Sequence, residues 1–195
     1  MKRGRLQTEQ RILEAVAHIL LQQGYPEIGV NAVARQAGCD KVLIYRYFGG
    51  LDELLLAFAE TRELWWDVSE IIIEESDDCA DIPLARFLEL LLTRYVEALE
   101  ARPLTLEIMA WEMSAENSLT RHLSRLRSER GMQLVKQIRH LYQQPNLDIG
   151  GVLGIFGAAI NYLIIRTRHQ DQQYKTEEWW RLKQTIAKLL QSYGD

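Results

Sequence analysis

The chain of 195 residues has few of the residues that loop-rich or covalently stapled folds require. It contains four prolines, twelve glycines and two cysteines, which disfavours an all-β fold with many turns. Cys39 and Cys79 lie forty positions apart, and no Cys and His residues stand at zinc-ligand spacing. That pattern argues against a disulfide framework and a structural zinc site. No apolar run with a cleavage site follows the basic start, so we predict no signal peptide and a cytoplasmic protein.

Catalytic signatures are also missing. The sequence has no HExxH, no Gly-x-Ser-x-Gly and no Walker loop, and its acidic pairs Glu74/Glu75 and Asp77/Asp78 lie in a polar run that is typical of solvent-exposed loops. The four histidines stand apart from one another: His18, His122, His140 and His169. We therefore predict no enzyme, no metal and no cofactor.

Positive charge is concentrated at one end of the chain. The first 50 residues hold seven Lys and Arg against four Asp and Glu, a net charge of +3, whereas the remainder carries −7. The total of −4 hides this division. A basic N-terminal part on an acidic body predicts that only the N-terminal part meets a polyanion.

Helical periodicity is the dominant pattern. Apolar residues recur at i, i+3, i+4, i+7 and i+8 from Ile12 to Leu20, and no strand pattern of useful length is present. The pattern predicts an all-α fold of about nine helices, with a helix-turn-helix domain at 1–50 and a larger helical domain at 51–195. The predicted helices cover 8–23, 30–37, 41–48, 52 to about 71–75, 81–101, 103–113, 118–142, 147–168 and 176–193.

The segment around Gly38-Cys39-Asp40 predicts a tight turn between two short helices. Gly38 can adopt positive φ, Cys39 is small and apolar, and Asp40 is a good N-cap. This arrangement is typical of a helix-turn-helix, whose second helix enters the major groove.

The residues left for the outward face suit DNA. Lys41 can donate to guanine, and Val42 or Leu43 can contact a thymine methyl group. The N-terminal amides at Val30 and Asn31 can hold a phosphate, and the basic start can act as an arm along the backbone or minor groove. The predicted DNA-binding residues are Lys41, Val42, Leu43, Tyr45, Arg46, Tyr47, Val30, Asn31, Arg3 and Arg5, with Lys2 as a further member of the arm.

Residues 10–59 resemble the DNA-binding domain of the TetR family of bacterial transcriptional regulators. The resemblance rests on the combined spacing of Ile12-Leu13-x-Ala15, Gly24-Tyr25, Val33-Ala34-x-x-Ala37-Gly38, Ile44-Tyr45-x-Tyr47-Phe48 and Asp52-Glu53-Leu54-Leu55. It implies a sequence-specific regulator, most often a ligand-responsive repressor, that binds a palindromic operator as a homodimer. The alternative is a dimeric helical module that binds a small molecule or protein and has lost DNA recognition.

Two positions depart from the family pattern. Leu51 stands where a lysine usually contacts a phosphate, and Gly29 stands where a threonine usually begins the second helix. Each change removes a group that anchors the DNA backbone, so each is expected to weaken binding and to flatten its salt dependence.

The resemblance also implies that the C-terminal domain dimerises through its last two long helices. Small residues along 147–168 form a smooth face, and an apolar stripe runs along the last helix. The predicted dimer residues are Gly150, Gly154, Gly157, Asn161, Trp179, Leu182 and Ile186. Ordinary packing within one chain is an alternative, and a membrane span over 149–165 is another, because 17 residues reach the lower limit for spanning.

A ligand pocket is the remaining expectation. Aromatic and Met side chains of the middle helices are of the kind that line apolar pockets, although the same spacing also suits plain core. The predicted pocket residues are Trp65, Leu91, Tyr95, Met109, Trp111 and Met113. Glu107 or Glu112 near Trp111 is a candidate partner for a cationic effector.

Overall fold

A computed structural model describes residues 2–72, 82–142, 147–170 and 172–191. Within those ranges the regular elements are ten α-helices and one 3₁₀ turn, without a strand, so the all-α prediction is confirmed. The helices are α1 Lys2–Gln23, α2 Val30–Ala37, α3 Lys41–Phe48, α4 Leu51–Glu60, α5 Val68–Ile71, α6 Leu84–Glu100, α7 Pro103–Glu112, α8 Ser118–Leu141, α9 Ile149–Thr167 and α10 Gln172–Gln191. The 3₁₀ turn spans Tyr25–Glu27.

The chain divides into two compact units that do not follow the chain order. The first unit joins Met1–Trp65 to Arg102–Leu126, and the second joins Trp66–Ala101 to Arg127–Asp195. The predicted domain boundary at residue 50 does not coincide with a boundary between these units and stays a prediction.

The core of the N-terminal part follows the apolar pattern of the sequence. The inward face of α1 is buried from Ile12 to Leu20, and Val33, Ile44 and Phe58 are fully buried on α2, α3 and α4. Burying a side chain of this size stabilises the fold by about 1.5–3 kcal/mol. These residues therefore hold α2 and α4 against α1, and α3 against α2 and α4.

The basic arm is a helix, which corrects the sequence prediction. Helix α1 begins at Lys2, six residues before the predicted start, so Arg3 and Arg5 lie on its first turns. Arg5 Nε donates to Glu9 Oε1 at 2.7 Å, an i, i+4 pair of the kind that supports an exposed helix. The side chain of Arg3 lies outside the described part of the chain.

The predicted helix from 52 toward 71–75 is two helices, which raises the expected nine to ten. Helix α4 ends at Glu60, where the Thr61 hydroxyl donates to the Phe58 carbonyl at 3.0 Å. The following backbone is held by Thr105 of α7, whose hydroxyl donates to the Leu64 carbonyl at 2.6 Å. Burial of Leu64 and Trp65 in the first unit, with 1% and 6% of their surfaces exposed, overrides the local helical pattern.

Two predicted helix starts also differ. Helix α6 begins at Leu84 after Pro83, whereas the predicted helix starts at residue 81, which lies outside the described residues. Helix α10 begins at Gln172, so Thr176 lies inside the helix rather than at its start. Proline before α6 gives a sharp start because its ring disfavours the helical conformation at the preceding residue.

Helix α9 is apolar but largely uncovered. Only 17% of the residues in its apolar 18-residue stretch are buried, and Ile155 and Tyr162 expose 71% and 56% of their surfaces. By length and composition it is the one helix in the described ranges that could cross a membrane, a test that core helices also pass. An apolar face of this kind marks a surface that something else covers.

Candidate nucleic-acid interface

The turn between α2 and α3 is closed by backbone hydrogen bonds. Gly38 adopts the left-handed conformation, with φ 59° and ψ 45°. The Cys39 amide donates to the Ala34 carbonyl at 3.0 Å and the Gly38 amide to the Arg35 carbonyl at 3.2 Å, which together form a Schellman motif. Asp40 Oδ1 accepts from the Val42 amide at 2.8 Å, so the predicted N-cap is present.

A side chain of α1 supports the same turn, a contact that sequence reasoning missed. Arg11 Nη2 donates to the Gly38 carbonyl at 3.2 Å, across 27 residues of sequence. The partly buried Cys39 thiol lies beside it, and desolvation raises the pKa of that thiol. The thiol is therefore protonated and acts as the small apolar plug that the turn requires.

The outward face of α3 gathers most of the predicted DNA-binding side chains. Lys41 and Arg46 are exposed, and Val42 and Tyr45 each expose 54% of their surface. Ile44 is fully buried on the opposite side, while Leu43 and Tyr47 are half-buried. The exposed group combines cationic, aromatic and aliphatic side chains on one helical face, which suits base edges and phosphates in a major groove.

The predicted arm and the recognition helix meet at Tyr47. The Arg5 guanidinium lies 5.0 Å from the centre of the Tyr47 ring, within the range of a cation–π contact. The hydrogen bond from Arg5 to Glu9 is the main cause of a raised Arg5 pKa. Arg5 is thus engaged within the protein as well as exposed to solvent.

The two departures from the family pattern lie at the first turns of α2 and α4. Gly29 precedes α2 with an extended backbone, φ −170°, and provides no side-chain cap. Val30 is half-buried and Asn31 is exposed on the first turn that follows. Leu51 is half-buried and is the first residue of α4, followed by the acidic Asp52 and Glu53. Neither start therefore offers a cationic or hydroxyl side chain to a phosphate.

The predicted pocket residues divide between the two compact units. Trp65, Met109, Trp111 and Met113 belong to the first compact unit, whereas Leu91 and Tyr95 belong to the second. Met113 exposes 66% of its surface and Met109 only 1%. Six residues divided in this way do not outline a single cavity within either unit.

Tyr95 belongs instead to a polar pair inside the second unit. Its hydroxyl donates to Asn161 Oδ1 at 2.6 Å, which joins α6 to α9, and the Trp66 ring packs edge-on against it at 5.8 Å. Burial raises the pKa of Tyr95 to about 12, against the opposing effect of the Asn161 bond. Asn161, predicted at the dimer face, therefore contacts its own chain.

The remaining predicted dimer residues fall on two different kinds of surface. Gly154 is exposed, and a methyl group added at Gly154 or Gly157 would meet no atom within 4 Å. Ile186 exposes only 3% of its surface and lines a crevice with Leu182 between α6, α9 and α10. Gly150 is half-buried, and the side chain of Trp179 lies outside the described residues. Among the side chains of α10 that the structure describes, Trp180 and Leu189 are apolar and exposed.

Comparison with known proteins agrees with this geometry. The sequence profile of the bacterial regulatory proteins of the tetR family matches residues 12–58. The chain is 26% identical to the HTH-type transcriptional regulator SrpR of Pseudomonas putida over 176 aligned residues. The aligned region covers 86% of this chain and 78% of that protein.

Two shorter similarities involve about a third of the chain. An uncharacterised HTH-type transcriptional regulator of Mycobacterium tuberculosis is 36% identical over 69 residues, 34% of this chain and 33% of that protein. The uncharacterised HTH-type transcriptional regulator TtgW of Pseudomonas putida is 33% identical over 57 residues, 29% of this chain and 42% of that protein. With its helix-turn-helix and exposed recognition face, the N-terminal part is a DNA-binding domain of the tetR-family type, and the chain is similar to HTH-type transcriptional regulators.

Proposed function

We propose that the chain is a ligand-responsive repressor that binds a palindromic operator as a homodimer in the cytoplasm, without catalysing a reaction. The exposed set on α3, namely Lys41, Val42, Tyr45 and Arg46, carries the DNA-binding part of this proposal. Phosphate contacts position such a helix, and base contacts give its specificity.

The uncovered face of α9 supports dimerisation. Ile155 and Tyr162 are exposed apolar side chains, and Gly154 leaves open space where another helix can approach closely. Trp180 and Leu189 add exposed apolar surface on α10. A second copy that covers these residues would remove apolar surface from water and give the twofold symmetry that a palindromic operator requires.

The second unit supports the proposed response to a ligand. The crevice between α6, α9 and α10 measures about 260 Å³ including the open space at its mouth. Its lining is mainly apolar, with Glu89 and Thr93 as polar residues. Because most of this volume is open to solvent, the enclosed space is far smaller than the roughly 300–1,000 Å³ of typical ligand sites, so an effector would have to widen the crevice.

Selection from a random duplex pool at about 150 mM salt tests the proposal, because non-specific binding is weak at that ionic strength. Recovery of one palindromic motif by the purified protein is the expected result. The distance between its half-sites then gives the separation of the two recognition helices. Unselective binding that appears only at lower salt would contradict sequence-specific repression.

A further inference from the structure

The first compact unit contains more than the three-helix DNA-binding part. It also includes residues 102–126, which cover α7 and the first turns of α8. Two contacts within this unit join that later segment to the N-terminal part, one before α2 and one after α3. They bracket the helix-turn-helix.

The first contact holds the turn that leads into α2. The Tyr25 and Trp111 rings stack with centres 5.8 Å apart and planes inclined by 14°. Ser114 Oγ donates to the Tyr25 hydroxyl at 2.9 Å. Tyr25 begins the 3₁₀ turn, and its carbonyl accepts from the Ile28 amide at 3.1 Å. The stack therefore fixes the backbone just before α2.

The second contact holds the start of α4. The Ser118 amide donates to Asp52 Oδ1 at 3.0 Å, and the Ser118 hydroxyl donates to the Asp52 carbonyl at 2.6 Å. Arg121 lies 3.9 Å from Asp52 Oδ2. Hydrogen bonds from Ser118 lower the Asp52 pKa, so the carboxylate is charged at neutral pH. Ser118 is buried, with 9% of its surface exposed.

We infer that Trp111 and Ser118 are positioning residues for operator binding, which hold the two ends of the helix-turn-helix in a fixed orientation. Ser118 is the first residue of α8, which runs as one unbroken helix to Leu141. The covalent link after α4, by contrast, is non-helical over residues 61–67. The stack and the Ser118 bonds thus tie both ends of the helix-turn-helix to α7 and to the start of α8 within the first unit.

The inference rests on the proposed homodimer, because its consequence is a restricted half-site spacing. We call the DNA-binding part of each protomer its head. Once one head has bound a half-site, the second head binds at an effective concentration set by how tightly the two heads are held. Rigid heads favour one spacing strongly and reject others. Loosened heads bind the preferred spacing less tightly and accept neighbouring spacings more readily.

The test compares the wild-type protein with Trp111→Leu, Ser118→Ala and the double variant. Each protein is titrated with operators whose half-sites stand at the selected spacing or one or two base pairs closer or farther. Affinity of the wild-type protein is expected to fall about tenfold or more with a shift of one base pair, and the double variant is expected to lose most of this discrimination. Ala115→Ser is the matched control, since Ala115 lies in the same segment and its side chain is exposed.

Conservative variants separate positioning from folding. Trp111→Phe retains a ring that can stack on Tyr25, so it is expected to restore spacing discrimination that Trp111→Leu lowers. If the double variant does not fold, the two single variants carry the same comparison, each with about half the effect on a logarithmic scale. Undiminished spacing discrimination in folded Trp111→Leu and Ser118→Ala overturns the inference. Failure of the wild-type protein to select a palindrome is a different result, which removes the proposed dimeric function itself.

Discussion

The turn between α2 and α3 and the helix α9 show opposite relations between sequence pattern and burial. Around the turn, the apolar residue Ile44 is fully buried, and the polar residues face outward together with Val42 and Tyr45 of the recognition face. On α9, the apolar residue Ile155 exposes 71% of its surface. In the first region, the apolar residues that the sequence pattern places inward are buried within one chain. The second leaves an apolar face that one chain does not cover, which is why we propose a second copy there.

The comparison also separates two kinds of functional surface. The recognition face depends on which side chains remain exposed after a small core has formed, so its chemistry is polar and mixed. The proposed dimer face depends on apolar area and on the open space at Gly154 and Gly157. Substitutions can therefore impair one surface while leaving the other intact.

The largest expected effect belongs to the recognition face. Lys41→Ala combined with Tyr45→Ala should abolish specific operator binding, because each base contact provides about 1–3 kcal/mol of discrimination. Sedimentation should show unchanged association of the protein. Gln22→Ala, an exposed residue at the end of α1, is the control. Retained specific binding would show that other residues read the operator.

A charge on α9 should give the next largest effect, on association. Ile155→Glu places a carboxylate on the proposed interface, where truncation of a central residue alone often costs about 2 kcal/mol or more. Light scattering after size exclusion should show dissociation toward the monomer with unchanged helix content. Met132→Glu, at a position exposed by 66% on α8, controls for added charge. A stable Ile155→Glu dimer would place the interface elsewhere.

A lysine at the start of α4 should strengthen DNA binding. Leu51→Lys restores a cation where the family usually has one, so the plot of log affinity against log salt should steepen by about 0.9. The cation at a helix N-terminus should cost about 0.3–1 kcal/mol of stability. Leu56→Lys, an exposed site on the same helix, should leave the slope unchanged. Equal slopes for both variants would exclude a phosphate near residue 51.

Removing the carboxylate that holds Arg5 should have a smaller effect. Glu9→Gln takes away the ionic partner at 2.7 Å, and an exposed pair of this kind contributes little to the stability of the fold. The released guanidinium should become available to phosphate, so affinity at low salt should rise a few-fold. Titration of Arg5→Gln should show the opposite change. Weaker binding by Glu9→Gln would mean that the pair itself orients Tyr47.

The smallest expected effect concerns the cap of α2. A threonine side chain fits at Gly29, because φ is −170° and an added methyl group would meet no atom within 4 Å. Gly29→Thr should stabilise the protein by about a few tenths of a kcal/mol through capping. Its hydroxyl should also add a phosphate contact. Thermal unfolding and operator titration measure the two gains separately, and a lowered melting temperature would contradict the capping argument.

Much of the N-terminal part could be predicted from sequence because its signals are local. Gly38 at a left-handed position, Asp40 as a cap and the apolar spacing of α1 each act within a few residues. The longer start of α1 was missed, since Arg5 and Glu9 support it through an exposed pair rather than through apolar periodicity. The roles of the exposed α3 residues in binding DNA stay predictions.

The contacts that sequence reasoning missed join residues far apart in the chain. Arg11 reaches Gly38, Tyr25 meets Trp111, and Asp52 accepts from Ser118. The division of the predicted pocket residues between two compact units has the same origin. Periodicity shows which residues are apolar, but it does not show which distant helix covers them.

The sequence by itself determined the helical class, the helix-turn-helix and the resemblance of its N-terminal part to the TetR family, because periodicity, caps and glycine turns act over short distances. Only the tertiary structure decided that α4 ends at Glu60, that residues 102–126 pack with the N-terminal part and that the apolar face of α9 stays uncovered. The physical reason is that burial and hydrogen bonding are completed between segments distant in sequence. The local pattern determines which face of each helix is apolar, and packing determines which of those faces one chain can bury.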